Sequence, residues 1–177
     1  SAQILAQAGF NGAFVEGRPW VLGHENAAHI FTERGLIPLL ARHFELSDDV
    51  AYRFSDHKWP RWPITVDHFV DRITSTSDDL VTLGWDFETF GEHHDANTGI
   101  FEFLEALPDA LDCRGITRLS PSEAIIRFRP NARDLHLSSF PSTWAGQHGG
   151  LDCFLGNDFQ HALFGLMMSA YGAAKIT

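Results

Sequence analysis

Cysteine is nearly absent from this chain: Cys113 and Cys153 are its only thiols among 177 residues. They form neither a CxxC arrangement nor a dense framework, which excludes a zinc ribbon and a disulfide scaffold. They read as free thiols in a reducing compartment and point to the cytoplasm. Basic residues are also scarce. Thirteen Lys and Arg against 23 Asp and Glu leave a net charge of -10, so no basic face is available for nucleic acid or an anionic membrane, and neither is expected as a partner. No apolar run approaches the ~18 residues of a membrane span, and the start lacks a signal-peptide pattern. What is abundant is ordinary: 44% hydrophobic and 20% charged residues describe one globular domain long enough to bury a core.

The order of local signals is helix, strand, helix. Residues 2–8 read as a helix closed by Gly9, and Gly12-Ala13-Phe14-Val15 as a strand ending on Glu16-Gly17. Arg18 to Arg34 is expected to be irregular. Leu36 to Phe44 predicts a second strand, with Ser47 as the cap of the helix that follows. Val66, Phe69, Val70 and Ile73 have helical spacing, Leu80 to Glu88 reads as a buried strand, and Ile100, Phe103, Leu104 and Leu107 mark one face of the next helix. Ser120-Pro121-Ser122-Glu123 is a helix start with a capping box. After an irregular stretch at 129–150, Leu155 to Ala170 outlines a final amphipathic helix. Met167-Met168 and the aromatic positions Phe101, Phe103 and Phe154 are expected in the core. The alternation favours an α/β fold with parallel strands.

Titratable groups crowd the stretch WDFETFGEHHD at 85–95. In a strand, Asp86 and Glu88 would share a face opposite Trp85 and Phe87. Acids at the carboxyl end of a parallel strand are costly unless solvated, paired or useful, and that end is where active sites of parallel α/β folds lie. Glu16 holds the equivalent place on the earlier strand. Two such acids are what glycoside hydrolysis requires, one protonated to release the leaving oxygen and one ionised as nucleophile or base. Trp20, Trp59, Trp62, Trp85 and Trp144 offer flat faces on which sugar rings stack. Competing readings are a solvated strand end and a metal site built on His93-His94-Asp95, as in a metal-dependent hydrolase or deacetylase, although no HExxH motif occurs.

Several ordered stretches carry a resemblance: Phe14-Val15-Glu16-Gly17, Trp20-Val21-Leu22-Gly23, Leu46 to Ser55 (LSDDVAYRFS), Asp86 to His93 (DFETFGEH), Gly99 to Leu104, Pro121 to Ala124, and Trp144-Ala145 followed by Leu155-Gly156-Asn157. Together they resemble glycoside hydrolase family 57, in particular its α-amylase-type members. The resemblance implies a retaining α-glucan hydrolase or transferase that needs no cofactor, acting on an α-glucan or maltooligosaccharide. The fold it implies is part of an incomplete (β/α)7 barrel with C-terminal helices, residues 1–128 forming the carboxyl-terminal half of the barrel and 129–177 a loop and helical segment packed on it. Carried across position by position, Glu16 is the nucleophile and Asp86 the acid/base. Glu88, Phe90, Glu92 and His93 line the site, and Trp20 and Trp144 contact sugar.

Two departures from the family pattern stand out. The His-x-Pro-type motif of the first barrel strand is absent, so the resemblance implies that about half of the barrel lies outside this chain. That half, or self-association, would have to cover the strand edges left open. After Trp144-Ala145, where α-amylase-type members place an acid, this chain has Gly146. The alternative within the same resemblance is an inactive carbohydrate-binding or assembly remnant.

Overall fold

A computed structural model describes residues 2–137, 143 and 150–174. They fall into two compact units, Ser1–Leu137 and Ser138–Thr177. The first contains α1 (Ala2–Gln7), β1 (Ala13–Glu16), a short α2 (Pro19–Leu22), β2 (Ile30–Thr32), β3 (Pro38–Arg42), α3 (Phe44–Arg53), α4 (Val66–Ser75), α5 (Ile100–Cys113), α6 (Pro121–Phe128) and β4 (Arg133–Asp134). The strands form a mixed sheet in the order β1-β3-β2-β4, and the class is α/β. The expectation of parallel strands is corrected at one place: β1 pairs with β3, and β2 with β4, in parallel, but β2 and β3 are antiparallel. Their turn puts Arg34 (φ 53°) and Gly35 (φ 68°) in the left-handed region, with the Leu36 N–H donating to the Glu33 carbonyl at 3.1 Å. Two consecutive left-handed residues match the twist of a hairpin. Thus α2, β2 and β4 all lie in stretches expected to be irregular.

β3 is buried along its whole length, as a central strand should be. Leu39 and Ala41 face a cluster with Ala2, Leu22, Phe31 and Leu135, while Leu40 faces Ile30, Leu80 and Ala124. A third cluster joins α3, α4 and α5 through Leu46, Val50, Phe54, Phe69, Val70, Ile73, Ile100, Phe103, Leu107 and Leu111. Phe54 and Phe69 both meet Phe103 edge to face, at centroid distances of 5.2 and 5.4 Å. The spacing of buried positions on α5 is the helical one expected, except that Leu104 lies at the margin and is exposed.

Helix starts follow local chemistry. Thr65 caps α4, and Ser120 with Glu123 closes a reciprocal capping box on α6. Ser47 is not a cap: α3 begins three residues earlier, with the Leu46 N–H donating to His43 Nδ1, and Ser47 sits buried inside it. The strand expected over Leu80 to Glu88 is also corrected. Only Thr82 pairs, in a parallel bridge to Arg42, and Phe87–Thr89 is a single 3₁₀ turn.

The second unit holds α7 (Asp152–Leu155) and α8 (Asp158–Ala174). Asn157 and Gln160 cap α8 reciprocally, at 3.0 and 3.2 Å. Phe159, Leu163, Phe164, Leu166, Met167, Met168 and Tyr171 remain exposed, so the expected burial of Met167-Met168 and Phe154 is corrected, as is that of Phe101. α8 carries apolar residues on every side, more surface than a unit this small can enclose. Cys113 and Cys153 are both free and exposed. Among the described residues no helix is long and apolar enough to cross a membrane.

Packing and capping should separate in stability. Phe103→Ala is expected to cost about 3–5 kcal/mol and Ser120→Ala about 1 kcal/mol. Urea midpoints at constant slope measure both, and equal losses would contradict the assignment of Phe103 to the helical core.

Candidate active site

Glu16 ends β1 directly beside Arg42, which ends β3. Register partners in a parallel pair point to the same face. Arg42 Nη1 accordingly reaches Glu16 Oε2 at 3.4 Å, while Glu16 Oε1 accepts the Gly17 N–H at 2.7 Å. Arg42 is only 8% exposed, and it also donates from Nη2 to Asp48 Oδ1 at 2.7 Å and from Nε to the Gly84 carbonyl at 3.0 Å. Arg18 brings a second guanidinium to Asp48. A burial this expensive for a cation is offset by acceptors on three sides. Gly17 is small for a steric reason: a Cβ there would lie 1.9 Å from the Arg42 carbonyl oxygen.

On the other edge of β3, Thr82 bridges Arg42 and its carbonyl accepts the His43 N–H at 2.7 Å. β1 and the segment through Thr82 therefore flank β3 and run with it, which brings their carboxyl ends to one side of the sheet. The chain leaves the sheet where Ser47 holds it: its Oγ accepts the Gly84 N–H at 3.2 Å and its carbonyl accepts Trp85 Nε1 at 3.0 Å. Asp86 follows at the N-cap position of the 3₁₀ turn, exposed and making no side-chain capping bond.

Tyr52, on α3, senses the charges of this cluster and of Asp86. Its phenol pKa is raised above the usual value, by burial first and then by the Asp48 carboxylate, with a smaller upward push from Asp86 against the lowering pull of Arg42 and Arg18. A group that feels all four charges lies within electrostatic reach of each. Glu16 touches the arginine, and the charge of Asp86 reaches the phenol.

Asp86 and Glu88 do not share a strand face as expected, because a 3₁₀ turn replaces the strand there. Glu88 is exposed, and its carbonyl accepts the Glu92 and His93 N–H groups at 3.3 and 2.8 Å. The Glu92 and His93 side chains are exposed as well. Phe90 packs edge to face on Trp85 at 5.9 Å, against the helical core. Trp20 lies on α2 just beyond Glu16, with its indole Nε1 buried and without a hydrogen-bond partner among the described residues. Trp144 and the glycine that follows it at 146 lie outside the described residues.

Several contributors were given no role from the sequence, namely Arg42, Asp48, Tyr52 and Arg18, and His94 was read only as a candidate metal ligand. His94 is 4% exposed, with Nδ1 2.7 Å from Ser55 Oγ and Nε2 3.1 Å from the Ala51 carbonyl. It pins the 85–95 stretch to α3, while its neighbour His93 faces out. Among the described residues no three His, Cys, Asp or Glu side chains converge as a metal set. The signal for Arg42 and Asp48 was available, since each is a charge inside an apolar pattern and a buried charge demands a partner.

Removing that partner gives a test. Arg42→Met leaves Asp48 buried with Arg18 as its remaining cation, and the expected loss is about 3 kcal/mol, the lower end of the range for a broken buried pair. A denaturation midpoint unchanged from the parent would rule out the network as described.

The chain matches Glycosyl hydrolase family 57 over residues 1–136. A protein of Methanocaldococcus jannaschii described as "Putative alpha-amylase" is 32% identical over 165 residues, covering 92% of this chain and 35% of that protein. This chain therefore corresponds to the smaller part of that relative's length. No solved structure matches it. The family match extends over most of the sequence, from α1 through β4, and the chain belongs to glycosyl hydrolase family 57.

Proposed function

We propose that the protein acts as a retaining glycoside hydrolase on α-1,4-linked glucans, in the manner of an α-amylase, with Glu16 as nucleophile and Asp86 as acid/base. The sheet is then part of an incomplete (β/α)7 barrel whose remaining strands lie beyond this chain. The observation that supports the reading is that both acids follow the carboxyl ends of chain segments flanking β3, Glu16 in contact with Arg42 and Asp86 two residues after Gly84, whose carbonyl Arg42 also binds. Their surroundings differ. Glu16 is clamped between a backbone N–H and a guanidinium, whereas Asp86 stands exposed on a turn.

In the first step the Glu16 carboxylate attacks the anomeric carbon and the bond to the leaving oxygen breaks, as Asp86 gives that oxygen its proton. A glycosyl ester on Glu16 results. In the second step Asp86, now a carboxylate, takes a proton from water. The water oxygen attacks the same carbon and Glu16 departs as a free carboxylate. Two inversions give net retention, and the mechanism needs the carboxyl groups about 5–5.5 Å apart. Exposed Glu88, Glu92 and His93 would bond sugar hydroxyls around this pair. Trp20, and Trp144 beyond the described residues, would supply stacking faces.

The test uses a chromogenic maltooligosaccharide. Asp86→Asn is expected to lower kcat by roughly 10²–10⁴-fold, Glu16→Gln by at least as much, and proton NMR of the first-formed product should report the α anomer. A β anomer, or either variant retaining full activity, overturns the assignment. Glucan binding without hydrolysis in the parent chain would favour a carbohydrate-binding role.

A further inference from the structure

Away from the two acids, an open cleft of about 710 Å³ lies between the start of α3, the loop at 59–64 and α4. Its volume is that of a small-molecule site. Glu16, Arg42, Asp48, Tyr52 and Asp86 do not line it. One wall is aromatic. Trp62 stacks on His57 at a centroid distance of 4.2 Å and an interplanar angle of 21°, yet remains 41% exposed. Backed on one face by the imidazole, Trp62 also lines the cleft. Trp59 beside it is held by the guanidinium groups of Arg53 and Arg61, at 5.7 and 6.0 Å. These are rings fixed in place rather than loose surface aromatics.

The facing wall is polar, with Glu45, His68, Asp71 and Arg72. Arg72 is bound to Asp49 on α3, which fixes that wall to the helix behind it. Asp71 is paired with Arg114. The charges among the lining residues cancel: Glu45 and Asp71 stand against Arg61 and Arg72. A backed aromatic plate facing hydrogen-bonding groups of no net charge suits a ligand with a flat apolar face and a rim of hydroxyls, which is a neutral pyranose. A phosphate or a polyanion would find no excess of cations, and a purely apolar ligand would strand the polar wall unpaired.

We propose that this cleft is a second saccharide site, which holds a segment of α-glucan against Trp62 and bonds its hydroxyls through Glu45 and His68, apart from bond cleavage. The choice of α-glucan rests on the function proposed above, whereas the site rests on its own walls. Its role is to hold a polymer on the protein between encounters with the catalytic pair, raising the local concentration of chain ends and internal bonds.

The full 177-residue chain, labelled with ¹⁵N, provides the test. The Trp62 indole N–H resonance, assigned by its loss in Trp62→Phe, should shift on titration with maltoheptaose and saturate. The same shift should persist in a Glu16→Gln, Asp86→Asn variant, and His68→Ala should weaken the saturation about tenfold. A Trp62 signal that stays fixed through the titration overturns the site, as does a shift unaffected by His68→Ala and Glu45→Gln together. The two readings fail separately. Trp62-dependent binding without hydrolysis leaves the cleft and removes the catalytic assignment, and hydrolysis with a silent Trp62 does the reverse.

Discussion

Arg42 is the residue on which the geometry of the candidate site depends. It ends the central strand, and from that one position its guanidinium contacts Glu16 on β1, Asp48 on α3 and the carbonyl of Gly84, where the chain turns toward Asp86. Three segments distant in sequence are thereby fixed to one planar cation. Lysine could not substitute, because a single ammonium lacks the spread of donors that reaches acceptors on three sides. The sterics agree with the electrostatics. Gly17 lies against the Arg42 carbonyl and Gly84 against the Arg42 side chain, at contact distances that a larger residue at Gly17 could not meet.

The acids of α3 show how one helix serves two neighbours. Asp48 turns toward Arg42 and Arg18, while Asp49, about 100° further around the helix, binds Arg53 and Arg72. One residue of rotation divides the strand ends from the helical layer. Each side of α3 then backs a different feature, the arginine-centred cluster on one and the Trp62 cleft on the other. The 85–95 stretch follows a similar logic. Thr89 and His94 are buried and Phe90 packs inward, so Glu92 and His93 between them, and Glu88 just before, are presented from a loop with fixed anchors.

Local signals in the sequence were the readable ones. β1, β3, α4, α5 and the capping box of α6 follow from spacing and cap chemistry, which a short window contains. The hairpin joining β2 to β3 escaped because its turn puts an arginine in the left-handed region, where only Gly35 announces itself. Leu80 to Glu88 misled for the opposite reason: its apolar start is buried, but the ladder ends after one bridge and Phe87 is 94% exposed. Ser47 looked like a cap because the actual one, His43, is a residue type that seldom serves. In the site, Glu16 and Asp86 could be proposed from motifs and the charge of Arg42 in an apolar strand was visible, but the partners of that charge were not, since pairing across strands depends on register and no local window holds it.

The contrast between a clamped Glu16 and an exposed Asp86 fits the different demands of the double displacement proposed for them. A nucleophile must meet one carbon along one line in both steps, so a carboxylate fixed by a backbone N–H and an arginine loses little by being immobile. An acid/base residue serves two partners in turn, first the leaving oxygen and then the incoming water, and each oxygen arrives from its own direction. A side chain on a solvated 3₁₀ turn, with no capping bond to break, can change rotamer between them. Had the strand continued through Glu88, Asp86 would have been held at a fixed pleat position four residues past the Thr82–Arg42 bridge. Ending the ladder at Thr82 is therefore what leaves Asp86 on a solvated turn, still within electrostatic reach of Tyr52.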